Sequence, residues 1–249
     1  MASATTAPLA IDARHLVKRY RGKTAVDGID LQVREGETFG LLGTNGAGKT
    51  TTVEMLAGLR RPTTGSVRVL GLSPFGDRTK VRQVLGVQLQ QAKLHESLTA
   101  RELVDLYRGF YPNPLDTDRA LAMVELREKA KTRFGNLSGG QAQRLSIALA
   151  LIGRPRVVIL DELTTGLDPL ARRRVWSTIE SLAEQTVLLV SHAMDEVERL
   201  CDRVAIIDAG RIVAQGSPKR LKENSGVSTL EDAFVKLTGK SVRDDQEEG

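Results

Sequence analysis

A single cysteine, Cys201, among 249 residues excludes an intrachain disulfide, and a reducing compartment fits that usage. Three histidines, His15, His95 and His192, lie too far apart in the chain to form metal-ligand spacing. The N-terminus, MASATTAPLA, has neither a basic region nor a long apolar core, so no signal peptide is expected there. The longest apolar stretches, such as ALALI and VLLV, fall far short of the roughly 18 residues a membrane span needs. Membrane work, if any, is expected to need another chain. There is no internal repeat. The 36 Lys and Arg against 31 Asp and Glu leave a net charge of +5. They are spread along the chain, which reads as a solvated surface more than as a nucleic-acid stripe. What the chain does have is 41% hydrophobic residues, enough for a sizeable core.

The organisation is α/β. From Ile11 to Glu37 the alternating segments HLVKRY and GIDLQVRE read as antiparallel strands. TFGLLG is a short apolar run before a Gly-rich loop, and KTTTVEMLAGL reads as a helix stopped by Gly58 or the RRP that follows. SVRVLG and VLGVQLQ read as further strands. From Thr99 to Gly153 helical patterns follow one another, with Thr99 and Asp116 as N-caps and Glu102 completing a capping box. After Pro155 strands and helices alternate again: VVIL, LARRRVWSTIESLAEQ, TVLLV and AMDEVERL. A hairpin turning at DAG comes next. TLEDAFVKLTG then reads as an amphipathic helix, and DDQEE as an acidic tail.

GTNGAGKT, Gly43 to Thr50, matches G-x-x-x-x-G-K-T in full, after a strand and before a helix. Gly43, Gly46 and Gly48 let the backbone curl so that N–H groups converge on phosphate oxygens. Lys49 brings a positive charge to the β and γ phosphates, the Thr50 hydroxyl is a Mg2+ ligand, and the helix start adds its dipole. VVILDE is an apolar strand ending in adjacent carboxylates, Asp161 and Glu162. Strand alternation is expected to aim them apart, leaving Asp161 for Mg2+ and Glu162 for the attacking water. NLSGGQAQR holds a second Gly-rich helix start, with Ser138 as N-cap. By spacing alone it is either a second anion site or a capped helix that binds nothing.

In the order P-loop, LSGGQ, VVILDE, GLDP and SH, the chain resembles the ATP-binding-cassette (ABC) ATPases over about Ile11 to Gly216. The resemblance implies a P-loop NTPase (RecA-like) α/β core with a parallel sheet, an N-terminal antiparallel β subdomain and an inserted α-helical subdomain at about 92–153. Residues 217–249 would form a short helical extension and acidic tail. The cofactors implied are ATP and Mg2+. Along the P-loop, Gly43, Thr44, Asn45, Gly46, Ala47, Gly48, Lys49, Thr50 and Thr51 would hold the nucleotide. Ser138, Gly139, Gly140 and Gln141 would contact the γ phosphate held by a second subunit. Tyr20, otherwise surface packing, matches the adenine-stacking aromatic. Gln90 matches the glutamine that senses Mg2+ and links to a permease, with Gln88 and Gln91 beside it and Gln91 open as the alternative. Asp168 matches the loop that meets the opposite subunit, and His192 the histidine that contacts the γ phosphate. One departure stands out. Leu163 follows Glu162 where the family usually has proline, and a less rigid loop is expected.

One P-loop and one LSGGQ imply a dimer. The last third resembles the ATPase subunits of drug- and polymer-exporting systems with a separate permease, held at the cytoplasmic face of the membrane. The rival is a soluble ABC ATPase of nucleic-acid or ribosome-linked processes. The absence of long coiled-coil heptads and of a second cassette argues against it, and no direct nucleic-acid contact is expected.

Overall fold

A computed structural model describes residues 8–89, 94–182 and 184–239. β1 (Leu9–Tyr20) and β2 (Lys23–Arg34) form a long antiparallel pair, and β4 (Thr64–Val69) joins the other edge of β1. β1 begins two residues before the expected start at Ile11, with Leu9 opposite Arg34.

The second sheet has six strands: β3 (Thr38–Leu42), β5 (Leu85–Gln88), β6 (Val157–Asp161), β7 (Thr186–Ser191), β8 (Arg203–Asp208) and β9 (Arg211–Gly216), in the order β5-β6-β7-β3-β8-β9. All neighbours are parallel except β8 and β9. β6 and β7 are buried along their whole length, as continuous apolar runs in the middle of a parallel sheet should be. Their side chains alternate between two cores. Val157, Ile159, Leu188 and Val190 face the cluster shared with β1, β2 and α1 (Lys49–Leu56). Val158, Leu160, Val187 and Leu189 face the cluster built with the helices on the other side. β9 is the exposed edge.

The helical block comprises α3 (Ala100–Arg108), α4 (Thr117–Met123) and α5 (Gly139–Leu151), which pack on one another. Thr99 and Glu102 make the expected capping box, and Asp116 caps α4 through the N–H groups of Asp118 and Arg119. α6 (Pro169–Glu180) stops well before Gln185, where its reading ended. α7 (Met194–Leu200) connects β7 to β8. α2 (Arg78–Val84) lies where no helix is expected, and the expected helical extension after Gly216 consists of α8 (Pro218–Ser225) and α9 (Leu230–Thr238).

Because five strands run parallel, their carboxyl ends share one edge of the sheet. Gly43 leaves β3 there, Asp161 ends β6, Ser191 ends β7 and Gln88 ends β5. Ligands of open α/β sheets bind at this edge.

Candidate functional site

At Gly43 the backbone turns where a Cβ would lie 2.5 Å from the Ile207 carbonyl, so no larger residue fits. Gly48 caps α1 at φ 107, and a Cβ there would meet the Ala25 carbonyl at 2.6 Å. Glycine at that cap supplies no side-chain hydrogen bond, leaving the first-turn donors of α1 for a ligand. The loop is pinned by Ala47 N–H donating to Thr44 O (3.2 Å) and Gly210 N–H donating to Ala47 O (2.9 Å). Lys49 is buried and folded back on its own loop. Its Nζ donates to the carbonyls of Gly43 (2.8 Å) and Thr44 (3.1 Å), and lies 3.5 Å from Glu162 Oε1.

A cavity of about 280 Å³ opens over this loop, lined by Tyr20, Lys23, Asn45, Lys49, Thr50 and Glu162, with Thr44, Gly46, Gly48 and Thr51 completing its wall. Tyr20 is 41% exposed at the end of β1. Lys18 Nζ and the Arg60 guanidinium sit 5.4 and 5.5 Å from its ring centroid, within cation–π range.

Glu162 does not continue the strand geometry of Asp161. Asp161 ends β6 in β conformation, whereas Glu162 takes φ 49, in the left-handed region. A non-glycine residue there stores about 1–3 kcal/mol, held in place by its surroundings. Glu162 N–H donates to Val190 O at 2.9 Å, and the carboxylate reaches Lys49 and His192 Nδ1, the latter at 3.6 Å. His192 first, and then Lys49, hold the Glu162 carboxyl below the usual carboxylate range against the opposing effect of burial. Leu163 is fully buried in the core on the helical side of the sheet. Packing thus anchors the position where a proline would have stiffened the chain.

Glu196 escaped the sequence reading. It is fully buried on α7, accepting from Trp176 Nε1 (3.0 Å) and from the Ser191 hydroxyl (2.6 Å), and its pKa is raised by burial. Ser191 Oγ in turn accepts Ala193 N–H at 3.0 Å, so the backbone on both sides of His192 is fixed. The signal was present in the sequence: Glu196 and Val197 lie one turn before Leu200 and Cys201, on the inward stripe of the helix.

The second Gly-rich start is built differently. Ser138 Oγ accepts Gln141 N–H at 3.4 Å, and Gln141 Oε1 accepts Ser138 N–H at 3.0 Å, a complete capping box on α5. A Cβ on Gly140 would lie 2.7 Å from Ala171 Cβ, so glycine allows α5 to start against α6. Asp168 caps α6 through Leu170 and Ala171 N–H, at 2.9 and 3.0 Å. Gly139 lies beside Leu167 of the same loop. Among the described residues, neither this stretch nor Asp168 lines the cavity of the P-loop. Gln90 and its alternative Gln91 lie outside the described residues.

Known proteins match this chain in sequence and in fold. The ABC transporter family model matches residues 26–165. A Nod factor export ATP-binding protein I of Neorhizobium galegae is 42% identical over 230 residues, covering 90% of this chain and 66% of that protein. A protein of the same name from Rhizobium johnstonii is 40% identical over 237 residues, covering 92% of this chain and 76% of its own length. Among solved structures, an ATP-binding subunit of an ABC transporter superposes with a TM-score of 0.82 at 25% identity, covering 92% of this chain and 99% of that one. A dimeric ATP-binding cassette in a post-hydrolysis state, bound to ADP and Pi, gives 0.75 at 26% identity, covering 83% and 98%. Among the described residues, no helix is long and apolar enough to cross a membrane. With its sheet order, its P-loop and its carboxylate pair, this chain belongs to the ABC transporter family as an ATP-binding subunit, an ATPase.

Proposed function

We propose that this chain powers export of a drug-like, lipid or polymer substrate through a separate permease, by ATP-dependent closure of a dimer at the cytoplasmic face of the membrane. The observation that carries the reading is the separation of the two Gly-rich helix starts. The P-loop cavity has a loop for the triphosphate and an aromatic for the base, but Ser138 to Gln141 stand outside it in the same chain. A facing subunit, arranged head to tail, brings them over the nucleotide. Solved dimers of similar cassettes, and relatives named as export proteins, support this arrangement and direction.

In this reading Tyr20 stacks on adenine and Gly43 to Thr51 hold the phosphates. Lys49 exchanges its two loop carbonyls and Glu162 for the β and γ phosphates. That exchange takes the Lys49 ammonium away from the Glu162 carboxyl, so the carboxylate becomes a better base for the attacking water as ATP binds. His192 Nδ1, beside Glu162, meets the γ phosphate. Ser138, Gly139, Gly140 and Gln141 reach that phosphate from the facing subunit, and Asp168 lies at the same contact.

Thr50, exposed at the cavity, and Asp161, buried at the strand end, offer the oxygen donors that Mg2+ takes, and Gln90 is the third residue assigned to it. Among the described residues no group of three or more His, Cys, Asp or Glu could hold a metal. That fits an ion held largely by the nucleotide's phosphates. Mg2+ bound there would neutralise charge on the β and γ oxygens.

The permease is assigned to a groove of about 600 Å³ beside β5 and the helical block. Leu59, Val87, Leu89, Phe110 and Tyr111 give it an apolar floor, and Arg82 a cation. Phe110 is 66% exposed and Leu59 61%. Co-purification from membranes with a chain bearing several spans of roughly 20 apolar residues tests the reading. A chain that stays soluble, binds no such partner and is stimulated by DNA would overturn it.

A further inference from the structure

We infer that Gln88 is a positioning residue for hydrolysis: its carboxamide holds the tip of β6, and with it Asp161 and Glu162, on the side where β5 has already left the sheet. The β5–β6 pairing ends at Gln88 opposite Leu160, one residue short of Asp161. Asp161 is still paired on its other side with Val190 of β7. Toward β5, its N–H donates to Gln88 Oε1 at 3.0 Å. Gln88 Nε2 donates to the Leu89 carbonyl at 2.9 Å. The two bonds fix the amide orientation, since the reverse assignment would set donor against donor and acceptor against acceptor. A side chain thus supplies the rung that the departing backbone no longer provides.

Gln88 is only 5% exposed. The remaining residues of β5 are Leu85, Gly86 and Val87, which makes Gln88 its one polar side chain. The neighbouring Glu162 carries the left-handed φ of 49. Its backbone is held by Val190 on one side, and the peptide before it by Gln88 on the other. Losing the second hold frees the strand tip to relax out of that conformation and moves the carboxylate away from Lys49 and His192. Among the described residues Gln88 does not line the cavity over the P-loop, so its loss reaches the nucleotide only through Glu162. Gln88 does border a small cavity of about 90 Å³, shared with Leu94, Tyr107, Tyr111 and Ser146, into which an altered side chain can shift.

The test is ATP hydrolysis by the purified chain in three versions: wild type, Gln88→Leu and Gln88→Glu. Leucine removes both the acceptor and the donor, whereas glutamate, kept protonated by burial, has an oxygen for Asp161 N–H and an O–H for the Leu89 carbonyl. Gln88→Leu is expected to lower kcat about tenfold or more, with KM and the affinity for a fluorescent ATP analogue within about twofold of wild type. Gln88→Glu is expected to return kcat to within about threefold. If leucine does not fold, Gln88→Met, unbranched and without an acceptor, takes its place. Wild-type kcat in the apolar variant, or an equal loss in Gln88→Glu, would overturn the assignment.

Discussion

The two Gly-rich helix starts, at Gly48 and at Ser138, deal with the same problem in opposite ways. Each opens a helix whose first N–H groups lack intrahelical partners. At Gly48 the cap residue offers no side-chain hydrogen bond, and a cavity stands over the opening. At Ser138 a reciprocal capping box closes the end, through a 3.4 Å bond on one side and a 3.0 Å bond on the other. The first is a site already formed and waiting. The second is satisfied in the single chain, and in the proposed dimer it would turn to a phosphate presented by the other subunit. The longer bond, from Gln141 N–H to the Ser138 hydroxyl, is the one an anion would displace at least cost. The glycines differ in purpose too: Gly48 is required by its φ of 107, and Gly140 by the approach of Ala171.

This contrast can be broken in graded steps. Glu162→Gln removes the proposed base and leaves both helix starts intact. Hydrolysis is expected to fall by about 10²–10⁴, while ATP still binds and the dimer accumulates, measured by steady-state turnover and size-exclusion chromatography. Ser138→Arg strikes only the second start. It is expected to leave nucleotide affinity within about twofold and to cut hydrolysis by about 10² through lost alignment. Binding measured on the same preparation as turnover separates the two effects.

Smaller changes sharpen the first start. Tyr20→Ala is expected to weaken ATP binding by about 1 kcal/mol, roughly fivefold, the low end for base–aromatic stacking because the ring is half-exposed. GTP should lose as much, since stacking does not read the base edge. The smallest effect is on acid stability. The folded Glu162 carboxyl lies below its ordinary 4.5, so its pairing stabilises the fold above that value and is lost as pH falls through the lower folded value. His192→Ala removes the largest cause. The carboxyl then moves back up, and the onset of acid unfolding should shift to higher pH by a few tenths of a unit, roughly, as followed by circular dichroism.

Much of this was legible in the residues. The strand runs around VVIL and TVLLV, the P-loop and both capping boxes depend on local pattern, and local pattern survives into the fold. What was not legible depended on partners distant in sequence. α2 buries only Val81, so it carries no apolar stripe to read. α8 did carry a signal, Ser217 as cap and Pro218 at the first position, but only a few apolar residues follow it. The left-handed turn at Glu162 follows from Lys49, His192 and Val190 acting together, and no window around DELTTG contains them. Gln88 stood beside Gln90 in the sequence as a spare glutamine, and only its contact with Asp161, 73 positions away, gives it a task.

In the proposed dimer one nucleotide site takes its halves from two chains. Mixing two inactive variants tests it most directly. Ser138→Arg keeps a sound P-loop, and Lys49→Ala keeps a sound LSGGQ. In a head-to-tail dimer of one of each, one composite site is whole and the other carries both defects. If the variants pair at random, half the dimers are mixed, so hydrolysis is expected to recover to about a quarter of wild type at most. A mixture as inactive as its two parents, with mixed dimers demonstrated, would contradict the account.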